Sequence, residues 1–296
     1  IKQKTDLGLD LVPYPQIFND VNNQKAEVIL YRPTGESGDF EKANFPIGVE
    51  GGKTSTCPTQ NLMEAYDMKD GTPFVWNNQS DPYDNRDPRM KYTIVCNEMK
   101  WPVDPVEIWE GGTNGLPLQN ATTTGYYLKK YVNNTISFEA GSTVTKKQHN
   151  WVLFRYGEIL LNYAEAMINA FHDPNYKDAV YNMSAREAVN QIRGRTNISL
   201  PGFPSDITEK DFVKRLKNER RVELAFEGHR FWDVRRWKEL GQTANIYGVK
   251  ITKNNEVISY EKFLLETRAV TDNMYFYPIP NTERFKNPNL GQNPGW

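Results

Sequence analysis

Residues 218–237 have the sequence NERRVELAFEGHRFWDVRRW, the densest pattern of charged and aromatic residues in the chain. Glu219, Glu223 and Glu227 lie four residues apart, a spacing that places their side chains on one face of a helix. Apolar residues are interspersed among them, at Val222 and from Leu224 to Phe226, which favours a buried helix over a solvated one. Gly228 follows at a position typical of a helix end. The segment therefore predicts a helix that supports the fold.

Buried glutamates need cationic partners, and the same segment offers them. Arg230 and Arg235 can give forked hydrogen bonds to carboxylates. We predict a structural network of ion pairs that clamps the helix to the following loop, with Trp232 and Trp237 in the core. Binding of an anion or a sugar by these charges is the alternative, but the interspersed apolar residues favour the structural network.

Amphipathic helices extend outward from this segment. Four are predicted, from Arg155 to about Phe171, from Ser184 to near Gly194, from after Thr208 to about Phe226, and from Arg230 to Leu240. The second begins with a capping-box spacing of Ser184 and Glu187. The first two form a hairpin similar to a tetratricopeptide repeat, which cannot bury both of its faces alone. We therefore expect the first helix to expose an apolar stripe toward an N-terminal part absent from this sequence.

Composition and charge exclude two classes of protein. The net charge of −1 gives no overall field that would attract nucleic acid. The basic run from Lys214 to Arg221 is interleaved with glutamate, as on a solvated helix face. No apolar run approaches the ~20 residues of a membrane-spanning helix. The chain begins at Ile1 without a leader sequence, so we interpret it as a fragment or a processed product.

Motifs for catalysis are missing from the sequence, so no catalytic residue and no cofactor is predicted. His149, His172 and His229 belong to no zinc motif, and neither a nucleophile elbow nor a phosphate-binding loop occurs. A carboxylate pair for glycoside hydrolysis remains open, because such a pair is defined by its separation in space. Cys57 and Cys96 lack metal-binding spacing and are expected to be unpaired thiols, with a single disulfide left open.

An acidic loop region is the best candidate for a metal site. Carboxylates are the hard ligands that calcium prefers, but the spacing here departs from the EF-hand loop. Pro82 and Pro88 favour turn formation instead, so no metal ligand is predicted. The acidic residues are Asp67, Asp70, Asp81, Asp84 and Asp87.

Residues 1–150 are rich in loops, and aromatic rings in those loops suggest a ligand site. Short strands are predicted at Glu27–Tyr31, Lys91–Val95 and Gly125–Val132. Long loops in a compact domain are uncommon unless they bind something. A sugar offers a flat C–H face for stacking on a ring and a rim of hydroxyls for amides. The predicted ligand-binding residues are Phe40, Phe45, Trp76, Asn77, Asn78, Tyr83, Trp101 and Trp109.

Several motifs, in order along the chain, resemble the SusD/RagB family of nutrient-binding lipoproteins. The strongest are Phe226–Arg230 and Asp233–Trp237, directly after the Glu-Arg-Arg helix. The others are Pro58–Leu62, Ala65–Gly71, Asn85–Arg89, Gly125–Tyr131, Arg155–Ala166, Asn190–Arg193, Tyr277–Pro280 and Asn287–Gly295. The resemblance covers nearly the whole chain and identifies it as the C-terminal part of such a protein.

The resemblance implies a mainly α, SusD-like fold of tetratricopeptide-type helical hairpins, packed against a loop-rich region with short strands. Accordingly, we expect a ligand-binding region at 1–150 and a helical scaffold at 151–240. An extended C-terminal segment at 241–296 is expected to pack on the scaffold. The family's shared motifs are scaffold, so the ligand-binding residues above rest on physical reasoning alone.

The resemblance also implies a function, which is non-catalytic capture of oligosaccharides or polysaccharides at the cell surface. It implies delivery to a SusC-like TonB-dependent transporter in the outer membrane. The protein would lie on the extracellular face of that membrane, lipid-anchored through an N-terminal part absent from this chain. RagB-like capture of peptides is the first alternative, and a glycoside hydrolase is the second. Which glycan is bound does not follow from the sequence.

Overall fold

The computed structural model describes residues 6–19, 26–78, 81–139 and 145–296. Helices occupy Gln16–Asn19 (α1), Asp39–Asn44 (α2), Gln60–Met63 (α3), Pro88–Thr93 (α4), Tyr156–Phe171 (α5), Ala185–Arg193 (α6), Glu209–Glu223 (α7), Arg230–Arg236 (α8) and Asn281–Lys286 (α9). Strands occupy Val28–Pro33 (β1), Ile94–Val95 (β2), Tyr127–Leu128 (β3), Asn150–Arg155 (β4), Asn245–Asn254 (β5) and Val257–Thr267 (β6). They pair antiparallel as β1 with β4, β2 with β3, and β5 with β6.

Helices α5, α6 and α7 pack around one apolar core, as the helical periodicity predicts. Leu160, Ile192 and Phe212 are fully buried in it. The helix α7 ends at Glu223, earlier than expected, and Phe226 beyond it has a positive φ of 61° that no helix continues through. The prediction of a mainly helical chain therefore holds for this part, whereas strands and loops build much of the rest.

The capping box predicted for α6 is present. Ser184 Oγ accepts a hydrogen bond from Glu187 N at 3.1 Å, and a Glu187 carboxylate oxygen accepts one from Ser184 N at 2.8 Å. Ser184→Ala is expected to lower the free energy of unfolding by about 1 kcal/mol, because one backbone N–H at the helix start loses its partner. Urea unfolding measures this, with the exposed loop serine in Ser205→Ala as control. Equal losses in both variants would contradict the role of the cap.

The apolar stripe of α5 is covered within this chain, so the prediction that it is exposed is wrong. Leu160 and Met167 of that stripe are buried, and Ile159 and Tyr163 are half-buried, because α6 and α7 pack against the helix. Apolar side chains are exposed instead on the sheet of β1 and β4. Ile29, Leu30, Tyr31, Leu153 and Phe154 are each about half exposed there.

A second core lies in the loop-rich region, where one predicted strand is wrong. Residues 88–93 form α4, because Asp87 accepts a hydrogen bond from Arg89 N and Pro88 occupies the first turn. Only Ile94–Val95 of the expected strand at Lys91–Val95 is extended. The strand expected at Gly125–Val132 is reduced to Tyr127–Leu128, which pairs with it.

A long hairpin of β5 and β6 completes this core and was not predicted. Asn254 pairs with Val257, which leaves a two-residue turn in which Asn255 has a positive φ of 55°. Val249, Ile251 and Tyr260 are buried against the loop-rich region. Residues 245–267 therefore pack on the loop-rich core, whereas the segment from 241 onward was expected to pack on the helical scaffold.

Cys57 and Cys96 are free thiols, the second of them buried. Among the described residues, no helix combines the length and apolar character needed to cross a bilayer.

Candidate functional site

The three glutamates quoted first lie in a buried network of ion pairs, as predicted. Glu219 and Glu223 belong to α7, and Glu227 follows it. Their side chains are 3%, 0% and 1% exposed. The cations come from separate segments of the chain: Arg89 binds Glu219 and Glu223, Arg155 binds Glu223 and Glu227, Arg193 binds Glu219, Arg195 binds Glu223, and Lys130 binds Glu227.

Arg230 and Arg235, the partners proposed for these glutamates, bind elsewhere. Arg230 donates to the Gln242 side chain at 2.8 Å, and the Arg235 guanidinium lies 3.5 Å from the centre of the Phe231 ring. The prediction failed because residues after Gly228 turn away from the α7 face that carries the glutamates. Trp232 was expected in the core but is 60% exposed.

The electrostatics of the network indicate a structural role. Burial raises the pKa of Glu223, but Arg195, Arg155 and Arg89 outweigh that effect and hold the pKa well below its ordinary value. Glu227 behaves in the same way, since Arg155 and Lys130 offset its burial and lower its pKa. These carboxylates are ionised and fully used in ion pairs, so they are unsuited to bind a sugar or to transfer a proton.

Three of the predicted aromatic residues are buried, contrary to the expectation that they are exposed in loops. Phe45 is 1% exposed, and Tyr83 and Trp101 are each 6% exposed. Tyr83 packs edge-on against Tyr126 and Tyr260, with ring centres 6.2 and 5.3 Å away. A ring covered to this extent has no open face on which a ligand could stack.

Phe40 and Trp109 are half-buried, and other side chains cover part of each ring. Phe40 packs edge-on against His149 and Trp151, with ring centres 5.3 and 4.9 Å away. The Lys253 ammonium lies 4.4 Å from the centre of the Trp109 ring.

The loop at residues 72–78 carries the remaining predicted residues. Trp76 is half-buried, and Asn77 and Asn78 are exposed. Trp76 Nε1 donates a hydrogen bond to Asn78 Oδ1, which fixes the orientation of the indole ring. Phe74 lies beside it, with the ring centres 6.4 Å apart at an angle of 74°. The Arg86 guanidinium covers one face of Phe74, at 3.6 Å from the ring centre.

Open cavities lie next to the predicted residues. One of about 520 Å³ is bounded by the loops that carry Phe45, Trp101 and Phe138. Another, of about 460 Å³, lies between residues 64–74 and α7, with Phe74 in its wall. Phe45 and Trp101 contribute almost no accessible surface to the first, whereas the loop of Phe74 and Trp76 borders the second.

An exposed group of rings from α8 and the C-terminal segment was not predicted from the sequence. Trp232, Phe276 and Tyr277 are each about 60% exposed and line a cavity of about 770 Å³. Phe231 stacks on Tyr277 with ring centres 6.0 Å apart. No local signal separates these rings from core residues, because Phe231 and Trp232 lie in an amphipathic helix and Tyr277 lies directly before Pro278.

The acidic loop region builds turns and a helix start. Asp70 accepts hydrogen bonds from Thr72, Asp81 accepts one from Tyr83 N, and Asp87 caps α4. Within the described ranges, no group of three or more histidine, cysteine or acidic side chains is arranged to hold a metal ion.

Comparison with known proteins places this geometry in context. The model of the SusD family matches residues 17–296. SusD-like protein P2 of Formosa agariphila is 29% identical over 163 residues, which are 53% of this chain and 28% of that relative. A SusD-like protein from Bacteroides fragilis is 26% identical with a TM-score of 0.81, and the match covers 100% of this chain and 61% of that structure. A SusD-like carbohydrate binding protein from the same species is 24% identical with a TM-score of 0.77, over 97% of this chain and 59% of that structure.

Proposed function

The chain belongs to the SusD family, and from this premise we propose that it binds a glycan at the cell surface without reacting with it. One of its structural relatives carries carbohydrate binding in its name. The chain spans 61% of the length of its first structural relative, so the activity of a whole protein of that length is a separate proposal. For that whole protein we propose an outer-membrane lipoprotein that passes its glycan to a SusC-like TonB-dependent transporter.

The observation that carries the binding proposal is the loop of Phe74, Trp76 and Asn78 beside the cavity of about 460 Å³. Trp76 is held in place by Asn78 Oδ1, so little freedom remains to be lost when a sugar stacks on it. Asn77 and Asn78 are exposed in the same loop, and their amides can form hydrogen bonds with sugar hydroxyls.

Stacking is expected to contribute more to affinity than hydrogen bonding. Hydrogen bonds to a sugar replace hydrogen bonds to water, so each contributes only ~1 kcal/mol. Stacking on an aromatic ring removes apolar surface from water. A capture protein must also release its cargo, so we expect a dissociation constant in the micromolar range or weaker, at roughly −8 kcal/mol or less favourable.

Trp76→Ala is expected to weaken glycan binding roughly tenfold or more, a loss of ~1.4 kcal/mol, because the stacking surface is removed. The melting temperature should change little, since the ring is only half-buried. Calorimetric titration with glycans that a binding screen identifies measures the first effect, and thermal unfolding measures the second.

The matched control is Trp232→Ala, which removes a 60% exposed ring from a different surface. It should leave both affinity and melting temperature unchanged. If Trp232→Ala weakens binding and Trp76→Ala does not, the site lies at the rings near the chain end and the assignment to Trp76 is wrong. Binding of oligopeptides but no glycan in the same screen would support peptide capture instead.

A further inference from the structure

The cavity beside Phe74 has an excess of positive charge. Its wall includes side chains of α7 from Lys210 to Arg221, residues 64–74, and Arg230, Glu239 and Gln242 beyond α7. Carboxylates line it as well, but each is already bound by a cation. These pairs are Glu64 with Lys262 at 2.8 Å, Asp67 with Arg193 at 3.3 Å, Glu219 with Arg89 at 2.5 Å, and Glu239 with Lys217 at 2.5 Å.

Arg221 and Arg230 remain without a carboxylate partner among the described residues. Arg221 donates to the Asn61 carbonyl at 2.8 Å, and Arg230 donates to the Gln242 side chain at 2.8 Å. Both acceptors are neutral, and a guanidinium has five N–H donors, so several donors of each side chain are left over. Lys210 and the exposed Lys214 add positive charge on the same wall.

The pKa values of these arginines agree with the excess of positive charge in the cavity wall. Burial and the neighbouring charge of Arg230 lower the pKa of Arg221 to about 10. Burial also lowers the pKa of Arg230 and outweighs the opposing effect of Glu239 and Asp233. Both side chains stay cationic at neutral pH, and both would be stabilised by a negative charge placed in the cavity.

We infer that this cavity binds a carboxylate or sulfate group of an acidic saccharide, while the loop of Trp76 contacts the sugar ring. The inference rests on the proposed function and narrows it to one class of glycan. Arginine binds the planar oxygens of such groups through paired hydrogen bonds. Phe74 lines the cavity and contacts Trp76, so a ring on Trp76 and an anionic substituent near Arg230 can belong to one ligand.

The test compares acidic glycans with neutral versions of the same chains. The full chain is titrated with a uronic-acid oligosaccharide and its carboxyl-reduced form, and with a sulfated oligosaccharide and its desulfated form. We expect at least one acidic form to bind about tenfold or more tightly than its neutral counterpart. Which pair shows the difference identifies carboxylate or sulfate as the preferred group. The difference should shrink as salt is raised from low to physiological ionic strength.

Two variants connect this preference to the cavity. Arg230→Gln should remove most of the preference, so that the acidic and neutral forms bind with similar affinity. Lys214→Gln, at an exposed position on the same wall, should reduce the preference by a smaller factor. Arg268→Gln, which alters an exposed ion pair with Glu266 elsewhere, is the control and should change neither. Thermal unfolding of each variant confirms that it is folded.

The possible outcomes separate this inference from the proposed function. Equal binding of acidic and neutral forms by the wild type overturns the inference and leaves glycan binding intact. A preference that survives Arg230→Gln and Lys214→Gln also overturns it. Binding of an oligo-glutamate peptide in place of the acidic glycans overturns the saccharide class. If no glycan binds at all, both the inference and the proposed function are wrong.

Discussion

Arg155→Met is expected to lower the free energy of unfolding by about 3–5 kcal/mol, a large part of the stability of a typical domain. Arg155 is 1% exposed and binds Glu27 and Glu223 at 2.8 Å and Glu227 at 2.7 Å. Methionine fills a similar space but offers no positive charge, so buried carboxylates lose a partner. Arg195 and Lys130 remain beside them, which keeps the loss within this range.

The measurement is urea unfolding at neutral pH, with Arg268→Met as the matched control. Arg268 forms an ion pair with Glu266 at 2.9 Å, but both side chains are about half exposed. Exposed ion pairs contribute about 0–1 kcal/mol, so the control should be nearly as stable as the wild type. A loss below about 1 kcal/mol for Arg155→Met would show that the network adds little to stability, in conflict with its burial.

The network also shows how far the sequence determines this fold. The spacing of Glu219, Glu223 and Glu227 predicts their common helix face, because that geometry is local. Their partners are not local, since Arg89 and Glu219 are 130 residues apart in the chain. Nearby Arg230 and Arg235 were the natural choice, but the chain turns at Gly228, which has a positive φ of 84°. Partners brought together by tertiary packing cannot be chosen from spacing alone.

The candidate site shows the same limit for aromatic residues. Trp101 and Tyr83 lie in stretches rich in proline, aspartate and asparagine, which predict loops correctly. Whether a loop ring is exposed depends on what packs over it, and for Tyr83 that is Tyr260 of β6. The hairpin that supplies Tyr260 was itself not predicted, so the burial of Tyr83 could not be either. Trp76 fits the expectation better because its loop lies at the edge of that core.

Acid is expected to unfold the protein steeply, because three buried carboxylates of the network have lowered pKa values. In Glu219, Glu223 and Glu227, burial alone would raise the pKa, but the surrounding arginines and Lys130 lower it overall. A lowered pKa in the folded state means that these groups stabilise the fold above their ordinary pKa of 4.5. This stabilisation is lost as the pH falls from 4.5 through the lowered folded-state values.

The expected slope follows from the protons taken up on unfolding. Each carboxylate that is protonated only in the unfolded state contributes about 1.4 kcal/mol per pH unit, so three contribute up to about 4 kcal/mol per pH unit. Asp67 opposes them, because burial raises its pKa, but it is a single group. Urea unfolding at a series of pH values below 4.5 measures this slope.

Glu227→Gln tests whether the network causes the slope. The variant removes one of the three titrating groups, so its stability should fall less steeply with pH, by about 1.4 kcal/mol per pH unit. It should also be less stable at neutral pH, because Lys130 and Arg155 lose a partner. Glu256→Gln removes a carboxylate whose side chain is 96% exposed, so it should keep the wild-type slope. If Glu227→Gln keeps that slope as well, acid unfolding has its origin outside the network. The cations around Glu227 then do not lower its pKa in the folded protein.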